Sequence, residues 1–160
     1  MNVPKQTLFL LLLALMAFPV ALLAQGAGRE TDITGTVYLD VNNNGRFDGK
    51  DKIGKRTDVW LYRVLPNGSR KRIGRMTTDK SGRYTFGAMP IGKYFIAARL
   101  PNKIAVRTSP FNLNGSSRLS VNNIPFVTPE TINRYPFLQP SGNPGNLDSE
   151  PGATPFAPGS

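Results

Sequence analysis

Apolar and polar residues alternate with a period of two over several short stretches of this chain. In ITGTVYL, residues 33–39, every second residue from Ile33 to Leu39 falls on one face and the threonines and Tyr38 fall on the other. That period predicts a strand with one face in the core. The same pattern predicts strands at 58–65, 70–79, 80–86 and 93–100, with weaker ones at 104–108, 118–121 and 125–127.

Turn residues separate these stretches at intervals of about ten residues. The clearest turn is PNGS, residues 66–69, where Pro66 presets its own φ and Asn67-Gly68 tolerates positive φ. Outside residues 8–24, the sequence contains no convincing amphipathic helical pattern. The spacing of strands and turns predicts an all-β protein, with a single antiparallel sandwich over residues 32–128.

The two ends differ from this pattern. Residues 8–24 form an unbroken apolar run after a short basic start, which predicts a signal peptide cleaved after Ala24 and a flexible lead over 25–31. An uncleaved membrane anchor is the alternative; Pro19 favours the signal peptide because proline disrupts a continuous helix. We therefore expect a secreted or periplasmic, surface-associated protein with no membrane span after cleavage.

Residues 129–160 are dense in Pro, Gly, Ser and Asn, with scattered apolar positions. Such a composition buries too little surface to offset the entropy of ordering, so it predicts a disordered tail. Within the tail, Tyr135–Leu138 is the stretch that could touch the domain.

The composition narrows the chemistry. The chain has neither cysteine nor histidine, which excludes disulfides, zinc sites with nitrogen or sulfur ligands, cysteine nucleophiles and serine–histidine triads. We therefore expect no enzyme. The 20 basic and 10 acidic residues give a net charge of +10, or +9 once Lys5 leaves with the signal peptide. For an exported chain this charge favours an anionic envelope polysaccharide over nucleic acid, or serves only solubility.

The stretch DVNNNGRFDGKD, residues 40–51, matches the spacing of a twelve-residue calcium loop. Positions one, three, five, nine and twelve carry oxygen side chains, position six is Gly45, and the residue at position seven offers a carbonyl. The last ligand is aspartate where glutamate is usual, and two lysines flank it, so we expect Kd on the order of 10⁻⁴–10⁻³ M. The alternative is a plain Asn/Asp/Gly turn. The predicted ligands are Asp40, Asn42, Asn44, the Arg46 carbonyl, Asp48 and Asp51.

Two longer stretches resemble a known family. GTVYLDVNNNGRFDGKDKIGKRTDVWLY resembles the opening of the B-type domains of serine–aspartate-repeat surface proteins, and TTDKSGRYTFGAMPIGKYFIAARLP resembles their second half. The second stretch is also similar to carboxypeptidase-regulatory-like and transthyretin-like domains. The resemblance covers about residues 33–101. It implies an immunoglobulin-like, transthyretin-type sandwich whose inter-strand loop holds a structural calcium ion through the residues named above.

Two further clusters are candidate binding sites. An aromatic set of Trp60, Tyr62 and Tyr38 could stack on sugar rings if exposed, although Trp60 could equally pack beneath the tail or a loop. A basic hairpin could bind anions, or could simply protect a sheet edge from aggregation by its charge. Its members are Arg63, Arg70, Lys71, Arg72 and Arg75.

The function predicted from these features is a non-catalytic structural or adhesion module at a cell surface, stabilised by calcium. The alternative is a filament subunit in which residues 25–32 or the tail complete the sheet of a neighbouring copy by strand addition.

Overall fold

The computed structural model describes residues 30–54 and 56–147. The predicted signal peptide, residues 25–29 of the lead and residues 148–160 of the tail lie outside the described residues. The described part folds as a β-sandwich of two sheets, as the sequence predicts. Its strands are β1 (Thr31–Leu39), β2 (Lys52–Ile53), β3 (Asp58–Val64), β4 (Arg70–Thr77), β5 (Arg83–Met89), β6 (Gly92–Arg99), β7 (Ala105–Thr108), β8 (Phe111–Leu113), β9 (Leu119–Val121), β10 (Ile124–Pro125) and β11 (Leu138–Pro140).

The first sheet is built around β1. Strand β1 pairs antiparallel with β5 and β2, but parallel with β9 and β10. The prediction of a purely antiparallel sandwich is therefore wrong for this sheet. The reason is topological, because the chain crosses to the other sheet for β6, β7 and β8 and returns to the opposite side of β1 in the same direction.

The second sheet is antiparallel throughout its described pairings and runs in the order β11, β7, β6, β3, β4, with β8 also on β6. Strands β3 and β6 are central and pair over their whole lengths, from Asp58–Arg99 to Val64–Lys93. Both read as strongly apolar in the sequence because the sheet buries them on both faces.

The main core lies between the two sheets. Ile33 and Val37 from the first sheet meet Val59, Leu61 and Ile96 from the second, and all five are fully buried. Each such side chain contributes about 1.5–3 kcal/mol relative to exposure. This confirms that Val59 and Leu61 share the inward face of β3.

One close approach fixes the position of β9 beside β1. A Cβ at Gly35 would collide with the backbone oxygen of Asn122 and with the ring of Tyr84. The Tyr84 hydroxyl also donates a hydrogen bond to that oxygen. Glycine is therefore required at this position for the two strands and the buried tyrosine to meet.

The alternation of β1 does not persist to its end. Leu39, expected on the buried face, is 42 % exposed, whereas Tyr38 on the other face is 1 % exposed. The loop that follows β1 folds back over the strand, and Phe47 packs its ring against Tyr38 with 5.2 Å between centroids. The buried face therefore changes where the loop covers the sheet.

The prediction of a disordered tail from residue 129 is wrong as far as the structure describes it. Residues 129–147, the C-terminal segment, contain a short 3₁₀ turn (Ile132–Arg134) and strand β11, which pairs antiparallel with β7. The domain therefore runs from Thr31 to at least Leu147, not from 32 to 128. The scattered apolar residues of the segment are buried because each fits a gap at the edge of the sandwich: Ile132, Tyr135, Leu138 and Leu147.

Among residues 30–54 and 56–147, no helix is both long and apolar enough to cross a bilayer.

Candidate functional site

The acidic loop, residues 40–51, curls as its sequence predicts. Asn43 and Gly45 adopt positive φ, at 55° and 76°, a conformation that asparagine and glycine accept more readily than other residues. Asn42 and Asn44 each accept a backbone N–H two residues ahead, at 3.1 and 2.8 Å. These short-range bonds bend the chain on itself within a few residues.

Asp40 anchors the loop to the sandwich. Its side chain is 6 % exposed, which is unusual for aspartate. One carboxylate oxygen accepts the N–H of Asn44 at 3.2 Å, and the other accepts the N–H of Gly45 at 2.7 Å. The second oxygen also accepts the Tyr135 hydroxyl at 3.1 Å. The buried charge is thus met by three hydrogen-bond donors.

Asp48 and Asp51 close the loop on its exposed side. Asp48 accepts the amide groups of Asn42 and Asn44, at 3.0 and 2.8 Å, and the backbone N–H of Lys50 at 2.8 Å. The Lys50 N–H and then the two amides hold the pKa of Asp48 below its usual value. Asp51 accepts the N–H groups of Val41 and Asp48, which ties the end of the loop to its start.

The structure therefore brings the predicted side-chain ligands into one small network. The carboxylates, however, face N–H donors rather than one another. Across residues 30–54 and 56–147, no group of three or more His, Cys, Asp or Glu side chains is arranged to hold a metal ion. Arg46 belongs to the network through its backbone N–H, which donates to Asn44.

The donor chemistry of the loop fits calcium. All the predicted side-chain ligands offer oxygen, and Ca²⁺ takes six to eight oxygen ligands in flexible geometries. The hydrogen-bond lists of Asp40, Asp48 and Asp51 contain no lysine or arginine side chain among the described residues, so their charge is met only by neutral donors. A cation at this position would compete with the Asn42 and Asn44 amide groups for Asp48.

The C-terminal segment covers one side of this loop, which sequence reasoning missed. Besides the Tyr135 bond to Asp40, Arg134 donates to the side-chain oxygen of Asn43 at 3.2 Å. Burial, and then Asp40, raise the pKa of Tyr135 to about 12. Burial, followed by Asp40, also raises the pKa of Tyr38 well above its usual value. Nothing in the local sequence around Tyr135 marks it as a partner of a residue 95 positions earlier.

The predicted aromatic set is not an exposed surface. Trp60 is 6 % exposed, Tyr62 is fully buried, and Tyr38 lies in the other sheet against Phe47. The end of the C-terminal segment covers the first two: the Tyr62 hydroxyl donates to the Pro144 carbonyl at 2.9 Å. Stacking of sugars on this set is therefore corrected, because a ring needs a free face to stack. The alternative, Trp60 packed beneath the tail, is the arrangement observed.

The basic hairpin forms as predicted from β3 and β4, but its guanidinium groups have intramolecular partners. Arg75 pairs with Asp58 at 2.9 Å and lies over the Trp60 ring, while Arg72 donates to the Gly145 carbonyl at 2.6 Å. Arg70 lies over the Phe95 ring and Arg63 over the Tyr94 ring. Lys71 is exposed. Several of these cations thus hold the outer face of the second sheet together, whatever else they bind.

Fold and site together define a β-sandwich with an acidic, oxygen-rich inter-strand loop. No protein-family model matches the chain. It is 39 % identical to Colossin-A of Dictyostelium discoideum over 67 residues, which is 42 % of this chain but only 1 % of that protein. The likeness therefore concerns a small part of a far longer protein.

Two solved structures overlap with this fold. (S)-allantoin synthase is 13 % identical with a TM-score of 0.45, over 60 % of this chain and 40 % of that one. Transthyretin from Sparus aurata is 10 % identical with a TM-score of 0.40, over 60 % of this chain and 88 % of that one. At these scores neither likeness supports an argument about this chain. The fold assignment rests on the two sheets themselves.

Proposed function

We propose that this chain is an exported, non-catalytic β-sandwich module that calcium stabilises and that acts by structure or adhesion at a cell surface. The observation that carries the proposal is the acidic loop, where three carboxylates and two asparagine side chains converge within twelve residues. Export is supported by the apolar run at residues 8–24, and a non-catalytic role by the lack of histidine and cysteine.

Calcium binding would add directly to stability because only the folded loop gathers these oxygens. At a calcium concentration about 100-fold above Kd, the free energy of unfolding rises by about 2.7 kcal/mol. At roughly 4 °C per kcal/mol, Tm should rise by about 10 °C. Thermal unfolding of the mature chain in calcium and in chelator measures this shift.

A matched pair of variants assigns the shift to the loop. Asp48→Ala removes an exposed loop carboxylate and should abolish most of the calcium effect. Asp79→Ala is the control, because Asp79 accepts the N–H groups of Ser81 and Arg83 in a comparable turn outside the loop. Identical melting curves in calcium and chelator for the unaltered chain would contradict the proposal.

The filament alternative keeps one supporting observation. Strand β9 pairs with β1, and no second pairing of β9 occurs among the described residues. Its Leu119 and Val121 are 52 % and 60 % exposed, so a strand could add there. Residues 138–140 of the tail already pair with β7 in their own chain, which leaves the lead as donor. Fibres that grow with concentration in electron micrographs, and that Val121→Lys suppresses, would favour this alternative.

Binding to an anionic polysaccharide is a proposal about the partner. The basic hairpin supports it: five cations stand on two paired strands, and Asp58 is the carboxylate bonded to one of them. Retention on an anionic polysaccharide column should then fall steeply from low to physiological salt. Exchange of Arg70, Lys71 and Arg72 for serine should remove most of it, and unchanged retention would contradict a role for the hairpin.

A further inference from the structure

A cleft of about 530 Å³ opens beside the acidic loop. Its walls come from four separate parts of the chain: Phe47 from the loop, Ser109 to Phe111 before and in β8, Val121 to Asn123 after β9, and Phe137 from the C-terminal segment. Its volume lies within the ~300–1,000 Å³ typical of small-molecule sites. The function proposed above does not use this cleft.

Three phenylalanines line the cleft and remain partly exposed. Phe47 is 37 % exposed and Phe137 is 36 % exposed, while Phe111 is half-buried. Each of the first two is held by a tyrosine: Tyr38 packs against Phe47 at 5.2 Å, and Tyr135 packs edge-on against Phe137 at 6.2 Å. The rings are therefore positioned by neighbours on one side and open on another, as an aromatic platform for a ligand requires.

The polar part of the lining presents one donor and one acceptor on adjacent residues. The side-chain oxygen of Asn123 accepts the backbone N–H of Thr36 at 2.9 Å, which leaves its NH₂ group for a ligand. Asn122 uses its NH₂ group on the Ser120 hydroxyl at 3.1 Å, which leaves its side-chain oxygen. Among the described residues, neither remaining group has a hydrogen-bond partner, and both side chains are half-buried.

We propose that this cleft binds a neutral carbohydrate. A sugar ring has an apolar C–H face that packs on an aromatic ring, and hydroxyl groups at its rim that both donate and accept hydrogen bonds. The adjacent NH₂ and C=O groups of Asn123 and Asn122 match two neighbouring hydroxyl groups. Arg46 is the single charged residue in the described lining, so the cleft offers little to a polyanion.

The cleft binds the carbohydrate without cleaving it. Glycoside hydrolysis ordinarily requires two carboxyl groups that flank the scissile bond. The described lining contains neither aspartate nor glutamate. The proposal depends on the calcium-stabilised module in one respect, because Phe47 belongs to the loop that calcium would order.

The test titrates the full mature chain with three neutral probes, cellotetraose, mannotetraose and N-acetylchitotetraose, and with tetragalacturonate as the acidic comparison. Calorimetry and NMR chemical-shift changes measure binding. At least one neutral probe should bind at millimolar concentration or tighter, with shifts at the cleft. Phe137→Ala should weaken that binding about tenfold, because one stacked ring is lost. Val121→Arg, which places a bulky charge at the rim, should abolish it.

Ile91→Ala is the matched control, since Ile91 is 49 % exposed and does not line the cleft. It should bind the same probe as the unaltered chain does. The proposal is overturned if no neutral probe binds, if Phe137→Ala and Val121→Arg bind unchanged while remaining folded, or if tetragalacturonate binds more tightly than every neutral probe. Retained binding in a chain whose Tm calcium does not move would support the cleft while contradicting the calcium proposal.

Discussion

The acidic loop and the C-terminal segment are both rich in turn-forming residues, yet the sequence describes only the first correctly. In the loop, most hydrogen bonds join residues at most six positions apart, such as Asn42 to Asp48. In the C-terminal segment, the decisive contacts reach 82 to 95 positions back, such as Tyr62 to Pro144 and Tyr135 to Asp40. Local chemistry is legible in the sequence, whereas a segment that is ordered by distant partners resembles a disordered one.

The two regions also meet. Tyr135 and Arg134 bond to the loop at Asp40 and Asn43, so the segment holds the loop against the sandwich. The loop in turn places Phe47 opposite Phe137 across the cleft. The difference between the regions therefore lies in how they are encoded, because in the folded protein they stabilise each other.

The largest expected effect comes from removal of the C-terminal segment. A chain truncated after Thr128 loses four buried side chains, and each contributes about 1.5–3 kcal/mol. Urea denaturation should show a loss on the order of 5 kcal/mol or more, which leaves many small domains largely unfolded. Glu130→Ala, an exposed change in the same segment, is the control and should leave the midpoint unchanged. A truncated chain with the original midpoint would return the segment to the status of a disordered tail.

A double-mutant cycle between Asp40 and Tyr135 measures how strongly the loop and the segment depend on each other. Tyr135→Phe removes the hydroxyl donor, and Asp40→Asn removes the charge that it meets. In chelator, we expect a coupling free energy of about 0.5–3 kcal/mol, as for residues in direct contact. Additive effects of the two changes would show that the regions are energetically independent.

High pH should weaken the same contact. The pKa of Tyr135 is about 12 in the folded protein against 10.0 ordinarily, so the folded state keeps a proton that the unfolded state releases. The contribution is fully present below pH 10 and is lost as pH rises from about 10 to 12. The stability difference between the unaltered chain and Tyr135→Phe should therefore shrink across that window. A difference that stays constant would separate Tyr135 from Asp40.

The smallest expected effect distinguishes two neighbouring cations of the hairpin. Arg72 donates to the Gly145 carbonyl of the C-terminal segment, whereas Lys71 is exposed on the other face of β4. Arg72→Gln should cost about 1 kcal/mol of stability through that bond, and Lys71→Gln should stay within about 0.5 kcal/mol. Chemical denaturation of the two variants compares equal changes of charge. Equal losses would mean that the arginine acts only through its charge.

Much of the fold was predictable because it follows from local pattern. The alternation in β3 and β6 places Val59, Leu61 and Ile96 in the core, and the Asn/Asp/Gly composition of residues 40–51 predicts a tight loop with inward oxygens. Both features depend on backbone geometry and on neighbours within a few residues, which the sequence displays directly.

The tertiary structure alone decided which surfaces remain open. The Trp60 face of β3 would be an exposed platform if residues 143–147 did not cover it, and the sequence of those residues contains no periodic signal. The aromatic cleft lies instead where Phe47, Phe111 and Phe137 converge from three distant parts of the chain. Exposure is a property of the completed packing, because a side chain is free only if no other segment gains more by covering it than it loses in ordering entropy.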